Sequence, residues 1–212
     1  MKKFALATVG NMAMILFFLG CTKNSLENLN EDEARIYITN HDNSADFKSY
    51  TTFSIADSVA IIKNNTLEKI ERTSFDANLI NAFTDMMQQR EYVQVSKDNN
   101  PDLVINISRI YNDITGLIDY SIYYNNYFGY YDPFYWGYPG YNYLFPPVFY
   151  ASYTIQVGGV NIDMFDAKNA GTNQQLKLLW NGLIRGSGTF DETNINNNIM
   201  ALFDQSPYLD NS

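Results

Sequence analysis

Gly158-Gly159-Val160-Asn161-Ile162-Asp163-Met164, the polar stretch Lys168–Gln175, and Leu176-Lys177-Leu178-Leu179-Trp180-Asn181-Gly182-Leu183-Ile184 together set the architecture of this chain. Val160, Ile162 and Met164 alternate with polar neighbours, the period of a strand with one face in a core. Upstream, Tyr153, Ile155 and Val157 alternate with the opposite parity, and Gly158-Gly159 stands at the flip, where a bulge or bend needs glycine's backbone freedom. Lys168–Gln175 reads as a hairpin loop. The return strand is expected to present Leu176, Leu178, Trp180 and Ile184 on one face, with Gly182 between them.

Working outward, Ile36-Tyr37-Ile38 is a short β-prone run, and Asn40–Ser44 is rich in turn formers. Tyr50–Ile55 reads as a strand with Phe53 and Ile55 on one face. Phe75, Leu79, Ala82, Phe83 and Met86 recur at three and four residues, predicting a helix that Ser74 or Asp76 would cap. After Pro101-Asp102, Leu103, Ile105 and Ile107 share one face of a core strand. A last helix starts near Asn194, shows Ile195, Ile199, Leu202 and Phe203, and ends before Pro207. The order strand, strand, helix, strand, long insertion, strand, strand, helix indicates one α+β domain over 35–209. Its sheet is expected to be mostly antiparallel, with two helices packed on one face and a Tyr-rich insertion at 120–150 between strands.

The N-terminus carries an address. Met1-Lys2-Lys3 is positive, Phe4–Gly20 has no charge, and Met12–Leu19 is almost wholly apolar. Phe18-Leu19-Gly20-Cys21 resembles the lipobox of bacterial lipoproteins, with Phe18 in place of the usual Leu. That resemblance implies cleavage after residue 20 and lipid on Cys21. A membrane-spanning helix needs about 20 apolar residues, whereas 17 residues separate Lys3 from Cys21. Cys21 is the one cysteine, so no internal disulfide can form. Residues 21–34, with Glu31-Asp32-Glu33, read as a solvated acidic tether. The expected location is the cell envelope, anchored to the outer membrane by N-terminal lipid; a periplasmic and a surface-facing placement both fit.

Two of the 14 basic residues lie before Cys21, which leaves 12 against 23 acidic ones and a net charge of −11. No Lys or Arg stands between Arg109 and Lys168. Nucleic acid needs clustered positive charge, so it is excluded as a partner.

Ala45-Asp46-Phe47 with Tyr50, Thr52 and Phe53, then Pro101-Asp102-Leu103-Val104-Ile105, Asp166-Ala167, Trp180-x-Gly182 and Ser206-Pro207 follow in an order that resembles domain of unknown function 4136, a family of bacterial lipoproteins. The resemblance spans roughly 36–208. It implies an envelope lipoprotein, commonly of Gram-negative bacteria, and brings no catalytic residues.

Tyr120–Tyr150 holds 11 of the 17 tyrosines, with glycines and prolines that break regular structure. Long loops of this kind are often functional, and Tyr and Trp offer stiff amphipathic contact area. Tyr127, Tyr130, Tyr131, Tyr135, Trp136, Tyr138, Tyr141 and Tyr143 form the expected binding surface for an envelope protein or a glycan; the alternative is an aromatic tract packed on its own domain. His41, the one histidine, sits among turn formers and suits neither a metal site nor a triad. Gly186-Ser187-Gly188 lacks the length and the lysine of a phosphate cradle. The expectation is a non-catalytic accessory or binding module with no metal and no cofactor. A surface-exposed adhesion-type protein is the alternative. A glycan-cleaving enzyme using Asp113, Asp119 or Asp132 is the third reading.

Overall fold

The computed structural model describes residues 35–64, 66–111, 133, 135–146 and 158–211, together with short strands at 117–118 and 153–154. Strands β1 (Ile36–His41), β2 (Thr52–Ile55), β3 (Val59–Lys63) and β4 (Thr66–Glu71) precede helix α1 (Ser74–Gln89). Strands β5 (Val93–Gln94), β6 (Leu103–Tyr111), β7 (Leu117–Ile118), β8 (Asn142–Leu144), β9 (Tyr153–Thr154) and β10 (Gly159–Asp166) follow. Helix α2 (Ala170–Asn173), strand β11 (Gln175–Arg185) and helix α3 (Ile195–Asp204) complete the domain. Among the described residues no helix is long and apolar enough to cross a membrane.

The main sheet runs β1-β11-β10-β6-β2-β5. Its centre is antiparallel, as the hairpin at 158–184 requires. The sheet as a whole is mixed, which corrects the expectation of a mostly antiparallel one: β2 and β3 run one after the other, parallel to β6, along its free edge. Strand β5 is parallel to β2, and β8 is parallel to β11. A second sheet pairs β7 with β9.

Helix α1 begins at a capping box. Thr73 is the cap, its hydroxyl accepts from the N–H of Asp76, and the Asp76 carboxylate accepts from the N–H of Thr73. Ser74 and Asp76 are therefore the first and third helical residues, not caps. Phe75, Leu79, Ile80, Ala82, Phe83 and Met87 of α1 are buried with Ile195, Ile199, Leu202 and Phe203 of α3. Both helices lie on one sheet face, as expected, against Val160, Ile162, Met164, Trp180 and Ile184. The third, short helix α2 occupies the expected loop at 168–175.

The hairpin β3–β4 was not readable from periodicity. Val59–Ile62 is buried on both faces, so it shows no alternation, and its partner β4 is a largely exposed edge strand. His41, expected in a turn, ends β1 and stacks on Tyr208 with ring centroids 3.8 Å apart.

Candidate functional site

The return strand does not keep one face. Met164 pairs with Trp180, but Phe165 pairs with Leu178, so Leu179 is an extra residue and the strand bulges there. Trp180 and Ile184 join the core under the helices, whereas Leu176 and Leu178 point to the opposite side of the sheet with Val104 and Phe165. The expectation of one face for all four side chains is thereby corrected. The bulge creates a second apolar cluster, and aromatic residues 135–145 lie on it.

This segment is shaped by turns. The N–H groups of Trp136 and Tyr138 both donate to the carbonyl of Pro133, at 3.2 and 2.8 Å, and Tyr141 N–H donates to the Tyr138 carbonyl. Gly137 (φ 87°) and Gly140 (φ 82°) take left-handed conformations that a side chain would resist. The chain then pairs with β11 as β8. Trp136 is 4 % exposed and belongs to the core. Tyr143 packs on Phe165 in a tilted pair with ring centroids 4.7 Å apart, Phe145 meets Phe165 edge-on at 6.4 Å, and the Tyr138 hydroxyl donates to the Ala167 carbonyl. Tyr135, Tyr138, Tyr141 and Tyr143 are half-buried, each with one flank in the cluster. Burial raises the phenol pKa values of Tyr135 and Tyr138; the Asp57 carboxylate adds to the first, and Tyr141 and Asp166 add to the second. Tyr127, Tyr130, Tyr131, Cys21, Asp113, Asp119 and Asp132 lie outside the described residues, as do the leader and the tether at 1–34.

Next to this cluster the same sheet face turns polar. Asn106 and Ser108 of β6, Asn161 and Asp163 of β10, and Asn181 of β11 are all buried. Asn161 and Asn181 each donate an amide hydrogen bond of 2.7 Å to the Asp163 carboxylate, and Asn181 also donates to the Asn161 carbonyl oxygen at 2.7 Å. Alternation reads these positions as the solvent side of half-buried strands, whereas the fold buries them. The polar partners of Val160, Ile162 and Met164 were the signal. A carboxylate held by two amides in a low-dielectric site is a specific structural device, because leaving it unpaired costs more than the pairing gains.

At the margin of the aromatic cluster, β2, the turn after β5 and Tyr135 enclose an open cleft of about 450 Å³. Ser54, Asp57, Gln94, Ser96 and Lys97 supply its polar groups. Lys97 Nζ donates to the Tyr135 carbonyl at 3.1 Å and sits 4.0 Å from the centroid of that ring.

The residues that carry the motif resemblance act as staples. Asp102 accepts from the N–H groups of Thr51 and Thr52, while its carbonyl accepts from Ala167 and Lys168 N–H, joining β2, β6 and the end of β10. Asp166 accepts from the Tyr50 hydroxyl and from both nitrogens of Asn169. Trp180 Nε1 donates to Ser206 Oγ at 2.9 Å. A Cβ on Gly182 would lie 2.4 Å from the Trp180 ring, so the Trp-x-Gly spacing exists to lay an indole across a bare backbone.

Comparison with known proteins agrees with this frame. The family described as Domain of unknown function (DUF4136) matches residues 38–208. A crystal structure of a DUF4136 family protein from Bacteroides thetaiotaomicron is similar with a TM-score of 0.70 and 24% identity, covering 84% of this chain and 99% of that one. A PelC dodecamer from Paraburkholderia phytofirmans is similar at TM-score 0.42 and 8% identity, covering 84% and 99%. No curated protein matches the chain.

Proposed function

The chain belongs to the DUF4136 family, and from that premise we propose that it is a non-catalytic, lipid-anchored envelope protein that works as an accessory or binding module at the outer membrane. The leader ending at Cys21 supports the anchor and its location. The observation that carries the binding role is the aromatic segment at 135–145. Its tyrosines rest one flank on the second cluster and turn the other toward solvent. Side chains already packed in this way lose little further entropy when a partner meets them. The cleft beside Tyr135 and Lys97 adds hydrogen-bonding groups at the edge of that surface. A protein or glycan of the envelope is the partner class.

Crosslinking in cells tests this reading. The tagged full chain is compared with a Tyr135→Ser, Tyr141→Ser double variant, with folding checked by thermal melting. A defined crosslinked partner that weakens in a folded double variant supports the proposal. Equal patterns from both chains, or background alone, overturn the aromatic surface as the binding face. Removing 125–143 outright is the poorer test, because it takes Trp136 out of the core.

A further inference from the structure

Strand pairing leaves one residue of β2 open. In a parallel ladder, successive residues turn their backbone groups to opposite sides. Ala56 N–H donates to the Ile105 carbonyl on the β6 side, and the Phe53 carbonyl accepts from Val95 on the β5 side. Ile55 therefore faces the β5 side, but β5 ends at Gln94, paired with Phe53. Among the described residues the N–H and C=O of Ile55 pair with no strand on that side, and Ile55 lines the cleft that Lys97 and Tyr135 border.

Lys97 adds a charge to that opening. Among the described residues it has no carboxylate within ion-pair distance; one ammonium hydrogen goes to the Tyr135 carbonyl, which leaves others to give. The lysine also covers one face of the Tyr135 ring and so closes that face to a stacking sugar. Ser54, Asp57, Gln94, Val95, Ser96 and the flank of Tyr135 complete the lining, so Lys97 is its one cation and Asp57 its one acid.

We propose that this cleft binds the C-terminal end of an extended peptide, whose backbone amide pairs with the N–H and C=O of Ile55 and whose terminal carboxylate meets Lys97. The inference rests on the reading of the chain as a binding module and names the ligand of its cleft. An extended peptide added to a strand edge gains main-chain hydrogen bonds, and a charge-assisted bond at its end fixes register. With one paired residue and one ion pair, the Kd is on the order of 1 mM.

The experiment uses the full-length chain in detergent micelles, labelled with ¹⁵N-isoleucine and titrated with acetyl-dialanine bearing a free carboxylate. The Ile55 amide signal should shift and saturate. Lys97→Gln should weaken binding by roughly fivefold or more, as should the C-terminally amidated probe. The isoleucine signals of β6 and β10 report that each variant is folded. An unmoved Ile55 signal overturns the proposal, as does a shift that ignores both Lys97→Gln and amidation. A shift produced by a chitin disaccharide in place of the peptide overturns the ligand class. If Ile55 is silent while the crosslinked partner still depends on Tyr135 and Tyr141, the binding-module reading stands and the peptide cleft falls.

Discussion

Arg109 Nε lies 2.9 Å from Asp76 Oδ1, which makes the carboxylate that closes the capping box of α1 also the counter-ion of the central strand. The same guanidinium reaches Glu71 Oε1 of β4 at 2.5 Å and the Tyr111 hydroxyl at 3.0 Å. One buried charge thus locks the helix start, the sheet centre and the edge hairpin together.

Arg109→Met should cost about 3–5 kcal/mol, because Asp76 is fully buried and would lose the guanidinium paired with it. Tyr111→Phe should cost about 1 kcal/mol, the net value of one hydrogen bond. Denaturant unfolding of the two variants gives both numbers; equal effects would mean that the ion pair adds nothing beyond packing.

Gly182→Ala should destabilise by about 1–3 kcal/mol through overpacking against Trp180 and Leu202. Ser206→Ala should cost about 1–3 kcal/mol by leaving the buried indole N–H of Trp180 without its acceptor. Thermal melts would show the two as separate losses of stability. An unchanged Gly182→Ala melt would refute the close approach.

Trp136→Ala should cost about 3–5 kcal/mol, since the indole is part of the second cluster. Its effect should be local to that side of the sheet. Amide exchange should speed at Gln175–Lys177 of β11, which β8 borders, more than at the strand positions under the helices. Uniform acceleration across both faces would count against two separate clusters.

The His41 imidazole is held below its ordinary pKa by partial burial, against the opposing pull of Asp42. The folded state therefore prefers the neutral ring. Its contribution to stability is complete above about pH 6.5, the unfolded value, and is lost as pH falls through the lower folded value. His41→Phe keeps a ring on Tyr208 and removes the titration. Between about pH 7.5 and 5, the wild-type melting temperature should fall more than that of His41→Phe.

Much of the frame was legible because helix and strand periods are local. Phe75, Leu79 and Phe83 announced α1; Ile195, Ile199 and Leu202 announced α3; Val160, Ile162 and Met164 announced β10. What could not be read was non-local. The parallel placement of β2 and β3 on β6 depends on tertiary contacts, and Val59–Ile62 hides its strand by being buried on both sides. The tyrosines at 135–143 were legible as unusual residues but not as a cover, because the cluster beneath them exists only once Leu179 bulges. Asn161, Asp163 and Asn181 gave a solvent-face pattern and were found inside. Polarity alone does not tell a wet face from a satisfied network.

The extra residue at Leu179 works as a phase shift within a single strand. Ahead of it, odd and even positions of β11 serve one pair of surfaces; beyond it the assignment is exchanged. A β11 paired without the bulge, with Leu179 in place of Leu178 opposite Phe165, would send Leu176 and Leu178 toward the helices and bring Lys177 round to the face of the Phe165 ring. The aromatic cover would then rest on an ammonium group. A slip of one residue in the pairing, invisible in composition and far from the loop itself, would thereby remove the foundation on which the tyrosines are displayed.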